Sequence, residues 1–81
     1  MKLATFRETY TINANAIRKI QLSKSDFEVA DDTTFLAVWC ECDTPNPSVY
    51  TSSVTPDLRL YVANSTQSGS NIPVNVFALY K

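Results

Sequence analysis

Histidine is absent from this chain of 81 residues. With it go the commonest general base and the commonest metal ligand, and neither a Ser-His nor a Cys-His nucleophile can be assembled within the chain. Glycine occurs once. Turns that need a positive φ must therefore draw on Asn or Asp, or be avoided through longer loops. Positive charge is not in excess, since seven Lys and Arg meet eight Asp and Glu for a net charge of −1. The nearest basic cluster is Arg18-Lys19 with Lys24, ordinary for a surface strand and its turn. Nucleic acid calls for a denser positive patch and is not an expected partner. Long apolar runs are missing too. None reaches the length of a signal-peptide core or a membrane span, so no membrane partner is expected and synthesis in a cytoplasm without a signal peptide is.

Cysteine occurs twice, at Cys40 and Cys42. On a strand these side chains point the same way but sit too far apart to bond without distortion. They are expected to be reduced, buried and inert. Zinc wants four ligands, so Cys40-Glu41-Cys42 would need carboxylates or a second chain to complete a site, and no metal or other cofactor is expected. Asp26, Glu28, Asp31 and Asp32 place four acids in one short stretch. The spacing fits no calcium loop, and a solvated acidic turn is the better reading. A pair of carboxylates working in one cleft has no candidate beyond Glu41 and Asp43, and a domain this small rarely encloses a pocket. The chain is expected not to be an enzyme.

What is present is a set of short apolar, β-branched and aromatic segments. The densest is Thr34 to Cys42, with the only Trp and both Cys. It is too short for a solitary helix, and its Phe, Val, Trp and Cys favour a strand. Alternation puts Leu36, Val38, Cys40 and Cys42 on one face and Phe35, Ala37, Trp39 and Glu41 on the other. Both faces are apolar enough to need cover. This segment is therefore expected to be central.

Around it, Ala4 to Ile12 alternates, with Ala4, Phe6, Glu8, Tyr10 and Ile12 on one side, apolar apart from Glu8, and Thr5, Arg7, Thr9 and Thr11 on the other. Asn13-Ala14-Asn15 reads as a turn. Ala16 to Leu22 reads as a strand rather than a helix, because it is short and carries recurrent β-branched residues. Ser25 is a candidate cap for one helical turn, with Glu28 three residues on. Asp43 to Ser48, with Pro45 and Pro47, is the strongest breaker. Val49 to Val54 reads as an edge segment, and Leu58 to Ala63 places Leu58, Leu60 and Val62 on one face. Ile72 to Tyr80 is the last strand, in which Pro73 implies the strand's beginning or an edge position. Asn64-Ser65-Thr66 is a formal glycosylation sequon.

The expected fold is all-β: a single domain over 1–81, a small antiparallel sandwich or barrel, jelly-roll-like, of about five to seven short strands. Its most informative feature is a second apolar face. Phe35, Trp39, Tyr61, Phe77 and Leu79 lie opposite the aliphatic faces of their own strands. They are the interface candidates, because aromatic side chains concentrate at protein interfaces. The expectation is a non-enzymatic structural or interaction protein that acts by self-association or with a protein partner. Its most concrete form is a small virion component of a bacteriophage, made in the host cytoplasm: a capsid decoration, minor capsid or tail-associated subunit. The polar Ser, Thr and Asn loops suit that class. The alternative is a small β-sandwich binding module. It would either take carbohydrate by stacking Trp39, Tyr50 and Tyr61 on sugar rings, or be a phage-encoded inhibitor of a host enzyme.

Overall fold

The computed structural model describes all 81 residues. Six strands form, β1 (Lys2–Ile12), β2 (Ala16–Gln21), β3 (Phe35–Cys42), β4 (Tyr50–Val54), β5 (Arg59–Asn64) and β6 (Ser70–Tyr80), with one 3-10 turn at Lys24–Phe27. They make two antiparallel three-stranded sheets, ordered β1-β6-β3 and β2-β5-β4. The sheets pack face to face as a sandwich. The fully buried side chains come mostly from the two middle strands: Leu60, Val62 and Asn64 of β5, and Ile72, Val74, Val76 and Ala78 of β6. Each fully buried aliphatic side chain contributes about 1.5–3 kcal/mol of transfer free energy, so these strands hold the domain together.

The middle of the first sheet is thus β6, and the Trp-bearing segment is an edge strand. This corrects the expectation that Thr34 to Cys42 would be central. That segment is apolar on both faces, but β6 is longer and pairs along its length with β1. The inner row of β6 is aliphatic, while β3 turns two cysteines inward at the edge.

Pro73 lies inside this central strand, against the expectation of a strand start or an edge. In an antiparallel ladder a residue directs its N–H and C=O to the same neighbour. The Pro73 carbonyl accepts from the Asp43 N–H at 2.9 Å, so the missing Pro73 N–H would have faced Asp43, just past the end of β3. Toward β1, Thr9 needs nothing from it. The ladder loses no bond within the strands.

The αL positions also differ from expectation. Asn15 takes a positive φ of 50°, as the scarcity of glycine requires. Glu28 (φ 59°) and Leu58 (φ 64°) do so as well, and Gly69 does not. Leu58 is held by burial and by its carbonyl, which accepts from the Leu22 N–H at 2.9 Å and from the Gln21 Nε2 at 3.3 Å. Glu28 is exposed and follows the 3-10 turn directly. An L-residue in αL costs about 1–2 kcal/mol, and glycine loses about half of that advantage through unfolded-state entropy. Glu28→Gly is expected to raise the melting temperature by about 2–8 °C, read by calorimetry.

The 3-10 turn is capped by Ser23 and not by Ser25. The Asp26 carboxylate accepts from the Ser23 N–H at 2.8 Å, which secures the turn that drives Phe27 into the core.

Candidate functional site

A bulge decides which side chains of β3 face outward. The register shifts between Phe35, opposite Tyr80, and Ala37, opposite Leu79. Leu36 is the extra residue. Phe35 consequently shares the inward face with Val38, Cys40 and Cys42 and packs against the core. Its ring meets that of Phe27 edge-on at 5.1 Å and lies 6.5 Å from that of Tyr80. Strict alternation had put Phe35 beside Trp39, and the bulge overturns that placement. It also leaves Leu36 46% exposed, where alternation had turned it inward.

The other four interface candidates do face outward, on two different surfaces. Tyr61 stands on the outer face of the second sheet, between Lys19 of β2 and Ser53 of β4. Trp39, Phe77 and Leu79 stand together on the outer face of the first sheet, where the register gathers them with residues of β1. One row across that sheet reads Leu3, Leu79, Ala37, and the next reads Thr5, Phe77, Trp39. Trp39 and Phe77 stack with centroids 5.4 Å apart and planes 11° from parallel. Leu3 is 57% and Trp39 41% exposed. Sequence alternation missed Leu3 as a member of this patch. Its signal was the odd-numbered side of β1, otherwise Thr and Arg.

Farther along, the same face turns polar. The third row is Arg7, Asn75, Glu41, and Arg7 forms an ion pair with Asp43 across β6. The outer face of the first sheet is thus divided into an apolar half and a charged half.

Elsewhere the chemistry is sparse. Cys40 donates to the Ser52 hydroxyl at 3.4 Å, and burial pushes its thiol pKa up, so it stays protonated and weakly nucleophilic at neutral pH. No three Cys, Asp or Glu side chains converge as metal ligands would. Asp26, one of the four clustered acids, is engaged with Ser23. Trp39, Tyr50 and Tyr61 do not form one platform. Trp39 is on the outer face of the first sheet, Tyr61 on that of the second, and Tyr50 packs against the core. A shallow apolar hollow of about 290 Å³ lies along the β3–β4 flank, lined by Phe35, Leu36, Ala37, Val38, Val54 and Pro56. The Asn64 of the sequon is buried, and its Nδ2 donates to the carbonyls of Ile12 (3.2 Å) and Ser68 (2.9 Å). It is a structural residue and not an accessible glycan acceptor.

No helix is long and apolar enough to cross a membrane. Comparison with protein-family models, curated proteins and solved structures finds no match for the chain.

Proposed function

We propose that this chain is a non-enzymatic structural or interaction protein that works by assembling. In its most specific form it is a virion subunit of a bacteriophage: a capsid decoration, minor capsid or tail-associated protein. The observation that carries the reading is the apolar half-face of the first sheet, where exposed Leu3 and Trp39 lie beside the half-buried Phe77 and Leu79. Contiguous exposed apolar surface rimmed by charge marks interaction sites in soluble proteins. The absence of His and the protonated Cys40 thiol agree with a chain that binds instead of catalysing.

The test is solution mass by light scattering across a concentration range, followed by Trp39→Ala. Wild type is expected to associate as concentration rises. Trp39→Ala removes an aromatic stack worth about 1 kcal/mol together with the partial burial of a side chain that is 41% exposed, so it costs the fold less than the about 3–5 kcal/mol of a core Trp truncation. It should melt cooperatively and lose association. If melting is lost together with assembly, Trp39 belongs to the fold and the interface reading fails. Co-sedimentation with particles tests the virion form.

A further inference from the structure

We infer that the partner on this face is a second copy of the same chain, docked sheet on sheet with its strands antiparallel, about a two-fold axis that crosses the strands at Ala78. The inference rests on the assembly reading and adds the occupant and its orientation. Its basis is that the face is complementary to itself in this orientation.

Leu79 and Phe77 lie one position on either side of Ala78, and Lys81 and Asn75 lie three positions on either side. A two-fold rotation about an axis at Ala78 therefore sets the Leu3, Leu79, Ala37 row of one copy on the Thr5, Phe77, Trp39 row of the other. Large side chains meet small ones at both edges: Trp39 comes down on Ala37, and Leu3 on Thr5. In the middle Leu79 packs on Phe77 instead of on its own copy. Isologous interfaces require this kind of match, and packed sheets hold such an aligned arrangement within about 30°.

Charge agrees with shape. The chain makes two ion pairs, Arg7–Asp43 and Arg59–Asp57. Glu41 and Lys81 have no partner in their own chain. Lys81 follows directly on β6, its N–H donating to the Thr34 carbonyl at 3.4 Å, and so falls in register with the outward positions Asn75, Phe77 and Leu79. The same rotation carries Lys81 over the Asn75 row of the other copy, beside Glu41, and symmetry makes the pair twice. The reverse orientation, with strands parallel, stacks Phe77 on Phe77 and Leu79 on Leu79 and leaves Lys81 facing its own copy. Arg7, which that orientation would bring to Glu41, is already engaged with Asp43.

The experiment is a charge exchange on the full chain, with association constants from sedimentation equilibrium and a melting curve for each variant. Glu41→Lys and Lys81→Glu should each weaken association at least about tenfold. The double variant should return to within about threefold of wild type. Ala37→Leu should also block association, because it fills the space beneath Trp39, while its own fold is kept. Wild type that associates but is unmoved by the single changes, or is not rescued in the double, overturns the arrangement and leaves assembly standing. Rescue of Glu41→Lys by Arg7→Glu instead places the strands parallel and overturns it as well. Wild type that stays monomeric at every concentration removes both.

Discussion

Phe27→Ala is expected to cost about 3–5 kcal/mol of stability, among the largest losses any single truncation in this chain would produce. Phe27 is the one buried residue contributed by neither a strand nor a strand-flanking turn position. It sits at the end of the 3-10 turn with only 4% of its surface exposed. Its ring meets Phe6 edge-on at 4.9 Å and Phe35 edge-on at 5.1 Å. Phe6 belongs to β1 and Phe35 to β3, the two edges of the first sheet, so Phe27 closes the span between them at one end of the sandwich. Truncation leaves a void with aromatic walls on two sides that cannot easily close. At about 0.05–0.15 kcal/mol per residue, a domain of 81 residues has a total stability of about 4–12 kcal/mol. The urea midpoint should fall by about 2–4 M, and at the low end of that stability range the chain unfolds outright. Phe27→Leu keeps most of the volume and should recover more than half of the loss. A Phe27→Ala midpoint within about 0.5 M of wild type would mean that the 3-10 turn does not seal the core.

Strand patterning made most of this architecture legible. The inward rows of β1, β5 and β6 follow simple alternation: Ala4, Phe6, Tyr10 and Ile12, then Leu60 and Val62, then Ile72 to Ala78. What alternation could not carry was the bulge at Leu36. One inserted residue reverses the faces before it, and nothing in Thr-Phe-Leu-Ala marks where it falls. That single slip moved Phe35 from the outer face to the core. Sheet order was equally hidden. Composition favoured Thr34–Cys42 as the centre, yet centrality depends on which strands pair, and β6 pairs on both sides through contacts distant in sequence. Phe27 is an apolar residue in a polar turn, and nothing local fixes its destination, which depends on the turn's path. The outer apolar patch was legible at Trp39, Phe77 and Leu79, while Leu3 joined it only through the register with Leu79.

Asn64 was expected just past the strand ending at Ala63, as part of a sequon, but β5 runs through it and alternation with Leu60 and Val62 turns it inward. It is the single buried polar side chain, 1% exposed. It stands at the corner where β1 ends, β2 begins, β5 ends and β6 begins. Its Nδ2 donates to the Ile12 carbonyl at 3.2 Å and the Ser68 carbonyl at 2.9 Å. Its Oδ1 accepts from the Thr66 N–H at 2.9 Å and the Thr66 hydroxyl at 2.6 Å. Thr66 in turn offers its carbonyl to the Asn15 N–H at 3.0 Å. One amide therefore ties the β5–β6 loop to both sheets. Asn64→Leu, similar in size, strands those donors and acceptors, each costing about 1–3 kcal/mol where water cannot replace the bond. The expected loss is about 3–5 kcal/mol, with the loop from Ser65 to Gly69 exchanging its amides fastest.

Asn64→Asp separates hydrogen bonding from size. Its carboxylate still accepts from Thr66, but a second oxygen now faces two carbonyls and no donor. Burial and those carbonyls favour the protonated acid, so the new carboxyl has a folded pKa above its unfolded value of about 3.9. The folded state then binds a proton that the unfolded state releases. The deficit relative to wild type is therefore full above the folded pKa and shrinks as pH falls toward the unfolded one. Urea titrations at about pH 4 and about pH 7 should find Asn64→Asp much closer to wild type at the lower value. Asn64→Leu should show the same deficit at both. Equal deficits for Asn64→Asp at the two pH values would mean that the corner opens enough to hydrate the carboxylate, and that the amide is not the tie between the sheets.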